Sequence, residues 1–189
     1  MKYIKQLKNP LTDTYKEFKR LITTDPAFPW YWQEKTVTGE HITSDFMKNM
    51  FRRGHKSRGY YTHGFLVRPT HRHWYPKGNS IHIDLAHQVA LEFFGFNNIK
   101  MKSIYRMSAN CEHSTEENLP DFYHVDHSFP HQNMLVYLND TEGGETLVDK
   151  ERYAGKEDDV IMFDGYGIDH CNKPPIIGRR MVFVVTFQL

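Results

Sequence analysis

The stretch His124-Val125-Asp126 is followed, after 43 intervening residues, by His170 and then by Gly178-Arg179-Arg180. Alternate side chains of a β-strand point to the same face, so His124 and Asp126 can face one ion if they lie on a strand. Two histidines and one carboxylate form the facial triad that holds non-haem Fe(II) and leaves coordination positions open. An arginine on the strand after His170 could hold a co-substrate carboxylate through two hydrogen bonds. The pattern indicates an Fe(II) oxygenase.

The sequence on either side of this motif predicts a series of short strands. Apolar runs after Gly95 are separated by turn signals such as Gly143-Gly144 and Pro174-Pro175, and no helical pattern interrupts them. Strands in such a series form an antiparallel sandwich or barrel. The predicted strands are Ile99–Met107, Phe122–Asp126, Asn133–Leu138, Glu145–Val148, Val160–Phe163 and Arg180–Phe187.

The first half of the chain shows mainly helical periodicity. Helical periodicity predicts helices over residues 12–24, 44–53 and 80–94, with Asp13 and Ser80 as candidate caps, and a strand over Tyr60–Val67. We therefore expect an α+β, mainly β protein with a jelly-roll core and N-terminal helices that buttress one sheet. The expected single domain spans residues 1–189, with helical support and flanking strands over 1–98 and the catalytic core over 99–189.

Composition limits the class of protein. The 189 residues carry a net charge of +1, which argues against a nucleic-acid partner despite a local basic run at 52–58. No apolar segment approaches the roughly 18 residues of a membrane span, and the N-terminus has no signal-peptide pattern. Two cysteines are too few for a disulfide framework. We expect a cytoplasmic protein that acts on a small molecule, peptide or protein, and the oligomeric state is not readable from the sequence.

Other histidines are weaker metal candidates. His82-Ile83-Asp84 repeats the spacing, but it lies in a predicted helix, where positions i and i+2 diverge by about 200°. His71-Arg72-His73 lacks a carboxylate beside it. His127 and His131 follow the ligand motif and are interpreted as solvated loop residues or as part of the entrance to the site.

Residues from about 99 to 188 resemble the catalytic core of the Fe(II)/2-oxoglutarate-dependent dioxygenases, particularly the prolyl-hydroxylase-like branch. The order and spacing of several short motifs carry the resemblance, which implies a double-stranded β-helix. These motifs are Ile104-Tyr105, His124-Val125-Asp126, Val136-Tyr137-Leu138-Asn139, Glu142-Gly143-Gly144-Glu145-Thr146, Phe163, His170 and Gly178-Arg179-Arg180.

The resemblance implies a role for each matching position. His124, Asp126 and His170 would be the iron ligands. Arg180 is favoured as the partner of the distal carboxylate of 2-oxoglutarate, and Arg179 is the alternative, because adjacent strand residues face opposite ways. The remaining candidates for cosubstrate contacts are Tyr137, whose hydroxyl would reach the same carboxylate unless it is a core aromatic, Tyr105 near the other end, and Thr186, which shares the parity of Arg180.

The implied activity is that of an oxidoreductase, a dioxygenase that hydroxylates an unactivated C–H bond of a peptidyl (prolyl-like) or amino-acid substrate. Fe(II), 2-oxoglutarate and O2 would be required, with ascorbate as a reductant. Two alternatives remain open: a cupin-type iron enzyme that does not use 2-oxoglutarate, and a non-catalytic jelly-roll binding module. The polar segment from Ser108 to Pro120 is expected to be either a lid or a solvated loop.

Overall fold

A computed structural model describes residues 3–35, 54–68 and 76–189. The predicted helix over 44–53 and the His71-Arg72-His73 motif lie outside these residues. Within them are two helices, α1 (Asp13–Thr24) and α2 (Ile83–Phe96). The strands are β1 (Lys5–Leu7), β2 (Tyr31–Gln33), β3 (Tyr60–Val67), β4 (Lys77–Gly78), β5 (Ser103–His113), β6 (Gln132–Tyr137), β7 (Glu142–Gly143), β8 (Glu145–Val148), β9 (Glu151–Ala154), β10 (Val160–Asp164), β11 (His170–Asn172), β12 (Pro175–Ile177) and β13 (Arg179–Gln188).

One large antiparallel sheet dominates the structure. Its strands run in the order β1-β10-β6-β13-β5-β3-β2, and β4 pairs with β3 at the edge. A three-stranded sheet, β11-β8-β9, and a two-stranded sheet, β12-β7, make up the remainder. Strands from the first 98 residues therefore join the same sheet as strands from the second half. The predicted mainly β, α+β architecture is confirmed.

The long strand β13 shows how the two faces of the large sheet differ. Met181, Phe183, Val185 and Phe187 point into a core that also contains buried residues of both helices. The alternate residues Val182 and Val184 point to the other face, where they pack in a second cluster with Val148 of the small sheet. The helices thus buttress one face of the sheet as predicted, and the small sheet covers the other.

Helix α1 begins one residue later than the predicted range and ends where expected. Thr12 is its N-cap, with a hydroxyl that accepts a hydrogen bond from the Tyr15 N–H at 3.1 Å, so the prediction that Asp13 caps this helix is wrong. Tyr15, Phe18 and Ile22 are buried at helical spacing, as the apolar stripe predicted.

Helix α2 begins at Ile83 rather than at residue 80, and its N-cap is His82. The hydroxyl of Ser80 is hydrogen-bonded to His63 Nε2 at 2.7 Å and accepts from the His82 N–H at 3.0 Å. Ser80 thus orders the turn before the helix instead of capping it. Neither described helix combines the length and apolar character needed to cross a membrane.

Two predicted boundaries in the second half are wrong. Strand β5 continues to His113 and pairs with β13 and β3, so residues 108–113 form a central strand rather than a lid. The continuation is stabilised by the burial of Met107, Ala109 and Cys111. The segment 122–126 is not a strand, because its ladder contact is a single bridge between His124 and His170.

Candidate active site

The candidate site is a cavity of about 410 Å³ between the large sheet and the small sheet. A volume of this size is typical of small-molecule sites. Strands β5, β6 and β13 of the large sheet line it together with β8 and β11 of the small sheet. The lining residues are Gln33, Lys35, Tyr60, Arg68, Arg106, Asn110, Glu112, His124, Val125, Asp126, Leu135, Thr146, His170, Cys171, Asn172, Arg180, Val182 and Val184.

His124, Asp126 and His170 meet at this cavity. One potential ligand atom from each lies within 4.8 Å of the others. His124 and His170 are joined by two backbone hydrogen bonds of 2.9 and 3.0 Å, which bring the two rings to the same place. His170 Nε2 lies 3.4 Å from Asp126 Oδ2, close to the ~3 Å separation of adjacent ligands with metal bonds near 2.1 Å.

The donor set fits a metal ion. Burial lowers the pKa of His124 to about 4, so its imidazole is neutral at physiological pH, as a metal ligand must be. Its Nδ1 is 3.1 Å from the carbonyl oxygen of Phe122, a contact that orients the ring and leaves Nε2 for the ion. The buried Nδ1 of His170 has no hydrogen-bond partner among the described residues, and an ordered water would complete it while Nε2 of the same ring faces Asp126.

Asp126 is held by an unusually cationic set of donors. Its Oδ1 accepts from Arg106 at 2.9 Å and lies 3.5 Å from a second guanidinium, that of Arg68. Oδ2 accepts from Asn133 at 3.1 Å, and the backbone oxygen of Asp126 accepts from Arg68 at 2.8 Å. Burial opposes ionisation, but the contact with His170 and the two arginines hold the pKa of Asp126 well below its usual range. The carboxylate is therefore ionised and fixed in orientation.

Arg180 lies in the same cavity and is 2% exposed. Its Nε donates to the Gly144 carbonyl at 2.9 Å and Nη2 donates to Thr146 Oγ1 at 2.7 Å. Nη1 has only longer contacts, 3.4 and 3.5 Å, to the carboxylate of Glu112, its cross-strand partner on β5. Burial raises the pKa of Glu112, and Arg180 opposes that shift. Nη1 is thus the guanidinium nitrogen with unused capacity.

Arg179 points the other way, as alternation along β13 requires. Its side chain is exposed and donates to the Thr23 carbonyl at 3.0 Å, at the end of α1. Of the two arginines, only Arg180 lines the cavity.

Tyr137 is buried behind Arg180. Its hydroxyl shares a 2.6 Å hydrogen bond with Thr146, and its ring centroid lies 5.2 Å from the Arg180 guanidinium carbon. Tyr137 is not among the described residues that line the cavity. The geometry makes Tyr137 a support for the arginine.

The structure does not bring Tyr105 or Thr186 to the cavity lining. The Tyr105 hydroxyl donates to the side chain of Gln188 at 2.8 Å, and the Tyr105 ring packs against His127 and Phe129, outside the cavity lining. Thr186 shares the parity of Arg180 as expected, but it lies towards the far end of β13, where its hydroxyl meets His127 Nε2 at 2.8 Å.

His127 and His131 are neither solvated loop residues nor part of an entrance to the site. Both are buried, their rings pack edge to face, and burial lowers the pKa of His127 to about 3. They are neutral packing residues next to the ligand loop. Cys171 is buried and lines the cavity, and burial raises the pKa of its thiol, which disfavours the reactive thiolate.

Sequence reasoning missed Arg68, Arg106, Glu112 and Asn133. A signal for two of them was present in β5, where polar residues at even positions alternate with Met107, Ala109 and Cys111. Such alternation marks a strand with one face towards a polar site. Arg68 carries no comparable signal, because its neighbours in sequence do not indicate which strand end it approaches.

No family model and no curated protein matches the chain. Solved structures do match, and their fold is that of the 2-oxoglutarate-Fe(II) oxygenases, a double-stranded β-helix. The jelly-roll prediction is therefore confirmed.

Three of these solved structures differ in how closely their fold matches that of this chain. A 2OG-Fe(II) oxygenase family oxidoreductase from Burkholderia pseudomallei is 16% identical, with 98% of this chain and 84% of that chain covered and a TM-score of 0.66. The alpha-ketoglutarate-dependent epimerase SnoN from nogalamycin biosynthesis is 11% identical over 98% and 77%, with a TM-score of 0.53. A prolyl-4-hydroxylase from Pseudomonas putida is 11% identical over 94% and 100%, with a TM-score of 0.44, so the prolyl-hydroxylase branch stays a prediction.

Proposed function

We propose that this protein is an Fe(II)- and 2-oxoglutarate-dependent dioxygenase that hydroxylates an unactivated C–H bond. The observation that carries the proposal is one cavity lined both by the His124, Asp126 and His170 group and by the buried guanidinium of Arg180. A metal site beside a buried cation suits a cosubstrate that chelates the ion at one end and carries a carboxylate at the other.

The three clustered side chains would hold the iron. Neutral His124 and ionised Asp126 already have the protonation states that ligation requires. When bound, iron with 2-oxoglutarate and O2 supplies the oxidising power that turns a C–H bond into C–OH, with succinate and CO2 as the other products. Asn133 and the two arginines hold the Asp126 carboxylate in place, so the ligand does not rotate away during turnover.

Arg180 would bind the distal carboxylate of 2-oxoglutarate. Gly144 and Thr146 fix two of its three nitrogens, so Nη1 is presented to the cavity in a defined orientation. Tyr137 supports this orientation through its ring and through Thr146. A pre-oriented guanidinium loses little conformational entropy on binding, which favours a tight carboxylate contact.

Apolar side chains complete the cavity. Leu135, Val182 and Val184 line it from β6 and β13. They exclude water from the reacting C–H bond and strengthen the charged contacts around it. The cavity volume suits an amino acid or a single inserted side chain, in keeping with the amino-acid or prolyl-like peptidyl substrate that the sequence predicted. Ascorbate would serve as reductant for inactive ferric enzyme.

The test is an anaerobic titration with Fe(II) and 2-oxoglutarate, observed through the weak charge-transfer band of the chelate in the visible range. We expect the band in the wild-type protein and in the Arg179→Ala control, and its loss in His170→Ala. In Arg180→Ala the band should require ~30-fold or more 2-oxoglutarate, from the loss of a charge-assisted contact worth ~2–4 kcal/mol.

Two other results would replace the proposal. Iron binding without the band would favour a cupin-type iron enzyme that does not use 2-oxoglutarate. Failure to bind iron at all would leave a non-catalytic binding module. If the band appears but Arg179→Ala, not Arg180→Ala, weakens it, the carboxylate contact has been assigned to the wrong arginine.

A further inference from the structure

The charges of the described residues around the cavity do not balance once the proposed ligands are counted. Among the described lining residues are four cationic side chains, Lys35, Arg68, Arg106 and Arg180, and two carboxylates, Asp126 and Glu112. A ferrous ion and a 2-oxoglutarate dianion cancel each other. Two positive charges are therefore left over, and protonation of Glu112, which its burial favours, would increase this surplus.

The surplus is concentrated at Asp126. The guanidinium groups of Arg68 and Arg106 both reach the same oxygen of that carboxylate, at 3.5 and 2.9 Å. One arginine with Asn133 would suffice to hold the ligand. The two guanidinium groups therefore share one carboxylate oxygen as their counter-charge.

Arg68 is also the more accessible of the two. Its side chain is 40% exposed and that of Arg106 is 12% exposed. Arg68 follows β3 directly, and the cationic Lys35 follows β2, the strand that pairs with β3 and also contributes Gln33 to the lining. Gln33 pairs with Tyr60 at the start of β3, so Lys35 and Arg68 lie at opposite ends of that strand. Arg68 is therefore the accessible cation next to the metal group, whereas Arg180 lies on β13, in the interior of the sheet.

We propose that the primary substrate is a small organic acid whose carboxylate or phosphate is bound by Arg68. Such an anion would neutralise the surplus and relieve the repulsion between Arg68 and Arg106. The carbon skeleton of the acid would then lie over the apolar residues of the cavity, next to the metal group. This inference rests on the proposed function, because the surplus is counted after iron and 2-oxoglutarate are bound.

The experiment uses sulfate as a minimal anion that ligates metals poorly. Full-length protein loaded with Zn(II) and 2-oxoglutarate is titrated with sodium sulfate to about 50 mM, beyond the millimolar constants of weak ion sites. Ionic strength is held constant, and the arginine side-chain N–H resonances are followed by NMR. We expect a saturable shift that is weakened about tenfold or more in Arg68→Gln, through the loss of a charge-assisted contact. Acetate and methyl phosphate, titrated in the same way, distinguish a carboxylate from a phosphate preference.

The matched control is Arg152→Gln, which removes the same charge from a side chain that is 65% exposed and does not line the cavity. It should bind sulfate like the wild type. Lys35→Gln serves as a second control, because Lys35 lines the cavity from the other end of β3. It should also bind sulfate like the wild type.

The outcomes separate the two proposals. The charge-transfer band with Fe(II) and 2-oxoglutarate is measured on the same samples. If the band forms but sulfate does not saturate, or binds Arg68→Gln as tightly as the wild type, the acidic-substrate inference is overturned and the proposed function stands. If the band does not form in the wild type, the proposed function fails, and this inference fails with it.

Discussion

Replacing Arg180 by methionine would leave the carboxylate of Glu112 buried beside an apolar side chain. Glu112 is 8% exposed, Arg180 is 2% exposed, and they are direct cross-strand partners on β5 and β13. Removal of one partner of a buried ion pair costs about 3–5 kcal/mol, because the remaining charge has lost its counter-charge but stays out of water. For a protein of this size the melting temperature should fall by roughly 6–20 °C.

The second replacement tests the cause. In Arg180→Met/Glu112→Gln neither side chain is charged, so the desolvation penalty largely disappears. We expect the double variant to recover at least half of the lost stability, which corresponds to a coupling energy of about 1.5 kcal/mol or more. Arg179→Met, at the exposed neighbour of Arg180, should change the free energy of unfolding by about 1 kcal/mol or less.

The pH dependence of the stability loss provides an independent test of the same ion pair. In the single variant the folded-state pKa of Glu112 rises further above its unfolded value, so the folded state binds a proton that the unfolded state releases. Stability is then retained at pH values below the unfolded pKa and is lost as pH rises through the folded one. The deficit of Arg180→Met relative to wild type should therefore be larger at pH 7.5 than at pH 5.

The assay is equilibrium urea unfolding, at both pH values, of the wild type, Arg180→Met, Glu112→Gln, the double variant and the Arg179→Met control. A loss below about 1 kcal/mol in Arg180→Met would refute the reasoning, because the pair would then contribute no more than a surface contact. Failure of Glu112→Gln to rescue the single variant would also refute it, since the damage would then arise from the lost contacts to Gly144 and Thr146 instead of from an unpaired charge.

Three further outcomes are expected. Divalent metal at 100 times its dissociation constant should raise the free energy of unfolding by about 2.7 kcal/mol, and this effect should vanish in His170→Ala. If thermal melts show equal stabilisation of both proteins, the ion binds elsewhere. Gly165→Ala should destabilise the protein by ~1–3 kcal/mol in urea unfolding, because a Cβ at position 165 would lie 2.2 Å from His131 Nε2. Its control is Gly95→Ala in α2, which should be neutral or slightly stabilising because the space around Gly95 is open. Burial lowers the pKa of His63, so the unfolded state takes up a proton below about pH 6.5 that the folded state resists, and stability should decline there. A stability difference between wild type and His63→Gln that does not depend on pH would contradict this.

Much of the fold followed from local patterns. Helix α1 and the strands Tyr60–Val67 and Glu145–Val148 have the bounds that periodicity and turn residues predicted, to within a residue. The predicted strand over 122–126 failed because strand propensity does not guarantee a partner, and this segment meets β11 at one bridge. The prediction of a loop over 108–113 was wrong because the polar residues of this segment face a cavity. In a sequence, polar residues that face a cavity cannot be told from polar residues that face solvent.

The sequence by itself determined the donor types and their order: His124 and Asp126, then His170, then an arginine. It also determined that Arg179 and Arg180 face opposite sides of their strand. These are local properties, because a residue type and its alternation along one strand do not depend on the rest of the chain.

Only the tertiary structure decided which distant side chains share the cavity. Arg68 and Arg106 converge on Asp126 from sequence separations of 58 and 20 residues, and Glu112 faces Arg180 across 68. These contacts depend on the registers of β3 with β5 and of β5 with β13. Register is set by the burial of whole strand faces against the helices, and a shift of one residue would turn every one of these charges to the opposite face.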